Sequence, residues 1–242
     1  LVDVAGGGAG PLAAGRNTGI GRAYQWLRAS GGLVVFTRPA NLGAAPAADG
    51  IPTGPAVQQT SQGGGVVSIR TYQDLLKNEA DARQFDYYAT TQPMEVTLDG
   101  KTRAIGAAGI FMGFSVSPDG RFVLRQPVQR PYSYVVPVDS FPRRIEVIDR
   151  ASGKLVHTVA VRPLVEGLPT GNDAEVTGVR DIRWRGDADA TLVWAEAQDG
   201  GDPNKEAKVR DAVFMQAAPF DKPPVTLAQL GRRLASIRWG RG

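Results

Sequence analysis

The chain has 242 residues, with 28 Lys+Arg against 24 Asp+Glu, a formal net charge of +4, one His and no Cys. The lack of Cys excludes a disulfide framework, a thiol nucleophile and a cysteine zinc site, and one His excludes any site needing two imidazoles from this chain. No apolar run reaches the roughly 18 residues that span a bilayer, and residues 1–8 carry neither a basic leader nor a long apolar stretch.

Residues 1–22 are small, Gly-rich and aperiodic, which predicts a flexible terminal segment. Tyr24–Trp26 and Leu33–Phe36 read as strands joined by a turn at Ser30-Gly31-Gly32. Residues 38–66, rich in Pro, Gly and Ala, predict a long irregular connection. Thr71 is a candidate helix cap with Asp74 three residues on, and Leu75, Leu76, Ala80 and Phe85 can share a face. The pattern predicts one helical insertion over about 71–86, with a break near Asn78. Strand patterns follow at Met94–Leu98, Arg103–Ile105, Gly113–Arg125, Arg144–Asp149, Lys154–Val161, Val179–Trp184, Thr191–Glu196, Asp211–Gln216 and Arg233–Trp239, with Asp99-Gly100 as a hairpin turn.

Trp26-Leu-Arg-Ala-Ser-Gly-Gly, Ser117-Pro-Asp-Gly, Trp184-Arg-Gly-Asp and Trp239-Gly each stand at the end of an apolar strand before a polar turn. The last three begin 67 and 55 residues apart, with a further hairpin turn at Arg150–Lys154 between the first two of them. Four strands per unit, restarting at such a turn, is the signature of β-propeller blades, which must stack because one blade cannot bury both its faces. The expected fold is therefore all-β: a partial propeller over residues 23–242, with two nearly complete blades and a partial one at each end.

Other strings weigh less. Asp187-Ala-Asp189 and Asp199-Gly-Gly-Asp202 lack the closing acid of a calcium loop and read as hairpin turns. Gly6–Gly8 and Gly63–Gly65 lack the strand before and the Lys-Ser/Thr after that a phosphate loop needs. Glu146, Glu166 and Glu196 are the acids a glycosidase pair would draw on, but Glu146 alternates with apolar neighbours as a solvated strand position would. His157 lies in a strand, not beside a nucleophile. The Trp residues at 26, 184 and 239 recur at equivalent places, which favours packing between blades. Arginines, 22 against 6 Lys, are scattered among acids rather than gathered in a stripe, so nucleic acid is not an expected partner, nor is a membrane.

Several stretches resemble the prolyl oligopeptidase-like serine peptidases, in particular the glutamyl endopeptidase branch. They are Ile51-Pro-Thr-Gly-Pro, Arg70-Thr-Tyr-Gln-Asp-Leu-Leu-Lys-Asn with Phe85-Asp-Tyr-Tyr-Ala-Thr, Ser117-Pro-Asp-Gly-Arg, Arg130-Pro-Tyr-Ser-Tyr-Val-Val-Pro, Phe141-Pro-Arg-Arg-Ile-Glu-Val-Ile-Asp and Glu196-Ala-Gln-Asp-Gly-Gly-Asp-Pro. The resemblance implies a propeller that covers an α/β-hydrolase domain and restricts access to its Ser, Asp and His. No Gly-x-Ser-x-Gly elbow stands in this chain: Gly113-Phe-Ser-Val-Ser117 lacks the final Gly. The catalytic residues are thus expected outside it, in a C-terminal domain, with no cofactor and no metal. The resemblance also implies a peptide substrate, with Arg130, Arg143 and Arg144 as candidate partners for its acidic side chain. A periplasmic or secreted setting is compatible with the family. The alternative is a stand-alone propeller-like module that binds a peptide or protein. An open set of blades leaves exposed faces and edges, so an oligomer or a marginally stable monomer is expected.

Overall fold

The structure is a computed structural model that describes residues 15–17, 20, 24–27, 31–47, 72–169 and 171–240. Most of the 1–22 segment, both triple-glycine strings and the Thr71 cap lie outside the described residues.

The strands run in chain order as β1 (Tyr24–Trp26), β2 (Leu33–Thr37), β3 (Gln92–Val96), β4 (Thr102–Ala104), β5 (Phe111–Val116), β6 (Phe122–Pro127), β7 (Arg143–Asp149), β8 (Leu155–Arg162), β9 (Arg180–Trp184), β10 (Thr191–Ala197), β11 (Asp211–Ala217) and β12 (Val225–Leu230). Each is hydrogen-bonded to the next within its sheet, giving three four-stranded antiparallel sheets, β1–β4, β5–β8 and β9–β12. These are blades of a partial β-propeller. The middle blade is buried on both faces. Val123 and Ile148 meet Val34 of the first blade, while Leu124, Ile145 and Val147 meet Leu192 and Trp194 of the third. The period-two alternation of Ile145, Val147 and Ile148 with their neighbours sends apolar side chains to both sides, and each fully buried Leu or Ile contributes about 1.5–3 kcal/mol.

The blade-restarting turns explain the repeat. Ser117 accepts the Phe122 N–H on Oγ at 2.9 Å and donates to Asp119 Oδ1 at 2.6 Å. Gly120, at φ +77, closes the turn by donating to the Ser117 carbonyl at 2.9 Å. The Asp119 N–H then donates to the Asp189 carbonyl at 3.0 Å, which ties this turn to the matching turn of the next blade.

Three details differ from the sequence reading. The first blade is complete, because β2 pairs with β3 across a long insertion and supplies the missing half. The helix, α1, spans Glu79–Ala89 rather than 71–86. Asp74 sits at φ +56, outside helical geometry, and Asn78 caps the helix by accepting the Asp81 N–H at 2.9 Å. Finally, Arg233–Trp239 forms no strand, because it has no ladder partner among the described residues, and the last strand is Val225–Leu230.

Gly201 marks a close approach between β10–β11 and the β8–β9 connection. It sits at φ +77, and a Cβ there would overlap the Glu175 carbonyl oxygen. Its carbonyl accepts the Glu175 N–H at 3.0 Å and its own N–H donates to Asp199 Oδ1 at 3.0 Å. Gly201→Ala is expected to destabilise the fold by about 2 kcal/mol or more. Gly186→Ala, where a Cβ meets nothing within 4 Å, should be near neutral. Thermal melts of the two variants compare them directly, and equal melting temperatures would contradict the expectation.

Candidate functional site

The three arginines expected to meet an acidic substrate do not converge. Arg130 follows β6 and is held by α1: its guanidinium reaches Glu79 at 3.0 Å and Asp86 at 2.6 Å, and it lies 4.8 Å over the Tyr132 ring. Tyr132 also donates to Asp86. Burial and the Asp86 charge push its phenol above the usual range. Arg130 is thus a strut between the helix and the second blade. Arg143 and Arg144 are neighbours on β7, so strand geometry sends them to opposite faces. Arg144 points with Ile148 toward the first blade, its Nε 2.5 Å from Glu146 Oε1. Glu146 is only 4% exposed and is also held by Arg125 at 2.8 Å. It is a buried ion-pair centre rather than the solvated position its alternation suggested.

Arg143 points with Ile145 and Val147 toward the third blade and is 8% exposed. Its side chain has no hydrogen bond or ion pair among the described residues, and its Nε is fully buried without a partner. Burial lowers its pKa, only partly countered by Asp139. Directly across the ladder lies Arg162, the last residue of β8. The Arg162 side chain too has no hydrogen-bonded or ion-paired partner among the described residues. Burial, and then the Arg143 charge, push it down to about 10, against the pull of Asp139 and Glu175. Sequence reasoning missed Arg162. A regular ladder continued from the Ile148–Leu155 pair would set Ala160 opposite Arg143. Two bulges, between Ile145 and Glu146 and between Val147 and Ile148, slip the register by two residues and bring Arg162 there instead.

In the third blade, where β9 and β11 begin, lies a buried charge network. Asp211 is fully buried and takes Arg180 and Arg233, the latter at 3.2 Å. Asp199, 1% exposed, takes Arg210 at 2.9 Å and Arg233 at 2.8 Å. Asp199 stands in the β10–β11 hairpin turn, as read from sequence, but as a buried anion whose oxygens are occupied by guanidinium and the Gly201 N–H.

At the other end of the blades a cavity of about 280 Å³ lies where β1, β5 and β9 finish, lined by Trp26, Ser117, Arg150, Trp184 and Arg185 among others. Its arginines are largely matched, Arg150 by Glu95 at 2.5 Å and Arg185 by Asp187 at 2.8 Å. Trp184 does bridge blades, donating from Nε1 to the Ser115 carbonyl at 3.0 Å. Trp26 is 52% exposed instead, since no blade precedes the first among the described residues. Trp239 lies under the Arg185 guanidinium, 4.1 Å from ring centre. His157 stacks on Phe220 with centroids 5.7 Å apart, as a strand histidine at the edge of the shared core. The remaining acids are separated: Glu166 accepts from Ser133 at 2.6 Å and Glu196 from Trp194 at 2.7 Å. No described helix is long and apolar enough to cross a membrane.

No family model matches the chain. It is 38% identical over 218 residues to a probable glutamyl endopeptidase, chloroplastic, of Oryza sativa subsp. japonica, covering 89% of this chain and 23% of that protein. It is 37% identical over 218 residues to the protein of the same description from Arabidopsis thaliana, covering 89% of this chain and 22% of that one. The chain therefore spans less than a quarter of the length of the curated relatives it matches. Among solved structures, an uncharacterized protein from Listeria monocytogenes EGD-e gives a TM-score of 0.37 at 9% identity, over 81% of this chain and 37% of that one. The Pyrococcus horikoshii acylaminoacyl peptidase gives 0.37 at 14% identity, over 57% and 21%. Neither superposition is close enough to inform the role of a residue. On this sequence relationship the chain is similar to a segment of proteins named glutamyl endopeptidases, and its three stacked four-stranded sheets are a partial β-propeller.

Proposed function

We propose that this chain is the substrate-gating propeller part of a serine-type endopeptidase that prefers Glu-containing peptides, with the nucleophile, acid and base supplied by an α/β-hydrolase domain outside it. The observation that carries this reading is the identity of 37–38% across 89% of the chain with proteins named glutamyl endopeptidases. The chain's own chemistry agrees with a non-catalytic role. Its single His is committed to a stack with Phe220, and its buried carboxylates are held by arginines rather than left to move protons. What it can do is select. Blades around an axis narrow the path to a buried active site, and a guanidinium without a counterion attracts acidic side chains over neutral ones.

The test compares the 242-residue chain with the same chain continued into the coding sequence that follows it. Both are assayed on blocked peptides bearing Glu or Gln before a chromogenic group. Cleavage after Glu by the longer protein alone is the expected result. Cleavage by the shorter chain, or none by either, would overturn the reading. A stop codon directly after Gly242 would point instead to a stand-alone peptide-binding module.

A further inference from the structure

We propose that Arg143 and Arg162 together form a receiving site for the side-chain carboxylate of an acidic peptide. The inference rests on the reading of the chain as a peptide-receiving part, and it names where the acid is held.

A pattern within the protein carries it. Four buried or nearly buried carboxylates are each shared by two arginines: Glu95 by Arg103 and Arg150, Glu146 by Arg125 and Arg144, Asp199 by Arg210 and Arg233, and Asp211 by Arg180 and Arg233. Arg143 and Arg162 repeat the arginine half of that arrangement on directly opposed ladder positions, with no carboxylate ion-paired to either among the described residues. The acids that face them, Asp139 and Glu175, act only at longer range, and Glu175 comes nearest to Arg180, at 4.0 Å. Like charges directly opposite on a sheet repel, and a buried guanidinium without a counterion is costly, so the pair gains most from an incoming anion. Arg143 is deep in the interface between blades, while Arg162 is partly exposed and gives the anion a way in. Each guanidinium presents a planar fork that matches a carboxylate, and in the four described pairs the group shared by both arginines is a carboxylate.

The experiment is titration calorimetry at low salt on the chain with a short blocked peptide carrying one Glu, against the same peptide with Gln. The Glu peptide should bind and the Gln peptide should not. Arg143→Gln and Arg162→Gln should each weaken binding by about tenfold or more. Both variants should melt at or above the wild-type temperature without peptide, because each removes an unpaired charge; this separates lost binding from lost folding. Binding of neither peptide, equal binding of both, or wild-type affinity in the two variants would overturn the site. If the variants bind Glu peptide as the wild type does, the site fails while the peptide-receiving reading stands. If they lose binding but the longer protein cleaves nothing, the site stands and the peptidase reading fails.

Discussion

Arg233→Ala is expected to lower the unfolding free energy by about 3 kcal/mol, a fall in melting temperature of roughly 6–12 °C for a chain of this size. Arg233 lies beyond the last strand with its side chain 10% exposed. Its guanidinium binds Asp199 Oδ2 at 2.8 Å, Asp211 Oδ1 at 3.2 Å, and the carbonyls of Arg210 at 2.8 Å and Asp173 at 3.0 Å. Removing one partner of a buried ion pair costs about 3–5 kcal/mol, because a charge is left behind in low dielectric. The lower end applies here, since Arg210 still holds Asp199 and Arg180 still holds Asp211.

The same network sets an acid limit. Burial alone would raise the Asp199 pKa, but hydrogen bonds from Arg233, the Gly201 N–H and Arg210 outweigh it and hold the carboxyl below its ordinary range. A carboxylate with a lowered folded pKa contributes its full stability above the unfolded value, about 3.9, and loses it as pH falls through the folded one. The wild type should therefore lose stability on acidification below about pH 4, and Arg233→Ala should lose less over that window. Parallel acid limbs in the two proteins would show that Arg233 does not hold Asp199 ionised.

Leu192→Ala is expected to cost about 2–5 kcal/mol, toward the upper end. Leu192 is fully buried in β10, within the cluster that joins the second and third blades. Its neighbours in that cluster, Ile145 and Val147 on one sheet and Trp194 on the other, are fixed by two hydrogen-bonded sheets and have little freedom to collapse into the space left. Val225→Ala, at a position 56% exposed on β12, should stay within about 0.5 kcal/mol. Urea unfolding distinguishes the two: the Leu192 variant should shift the midpoint without changing the slope. A loss below about 1 kcal/mol would mean that the two blades do not share a tightly filled core.

Much of the fold was legible because strands carry a short-range signature. The Asp99-Gly100 turn closes as its dipeptide suggests, with Gly100 at φ +84 donating to the Thr97 carbonyl at 2.9 Å. The Ser117-Pro-Asp-Gly and Trp184-Arg-Gly-Asp turns end the first strands of successive blades, as their repetition implied. Arg233–Trp239 misled because alternation reports only that a segment could be a strand, whereas being one requires a neighbour to bond. The helix start misled for a related reason: Asn78 outcompetes the segment around Asp74, whose backbone turns left-handed.

The candidate site was legible only in part. Arg143 was singled out with Arg130 and Arg144, but nothing local distinguishes the three. Their fates depend on tertiary contacts: Glu79 and Asp86 take Arg130 from a helix more than 40 residues away, while Glu146, two residues along β7, takes Arg144.

The all-β class and the blade repeat with its turns were readable from composition and from patterns a few residues long. How many blades close, which acids are buried, and which described arginines have no acid partner among the described residues were visible only in the folded chain. Those outcomes depend on register and on contacts between blades. Two bulges in one ladder are enough to exchange Ala160 for Arg162 beside Arg143 and so create a pair of unmatched guanidiniums. A slip of two residues keeps every side chain on its own face, so the apolar pattern that identifies the strand is blind to it.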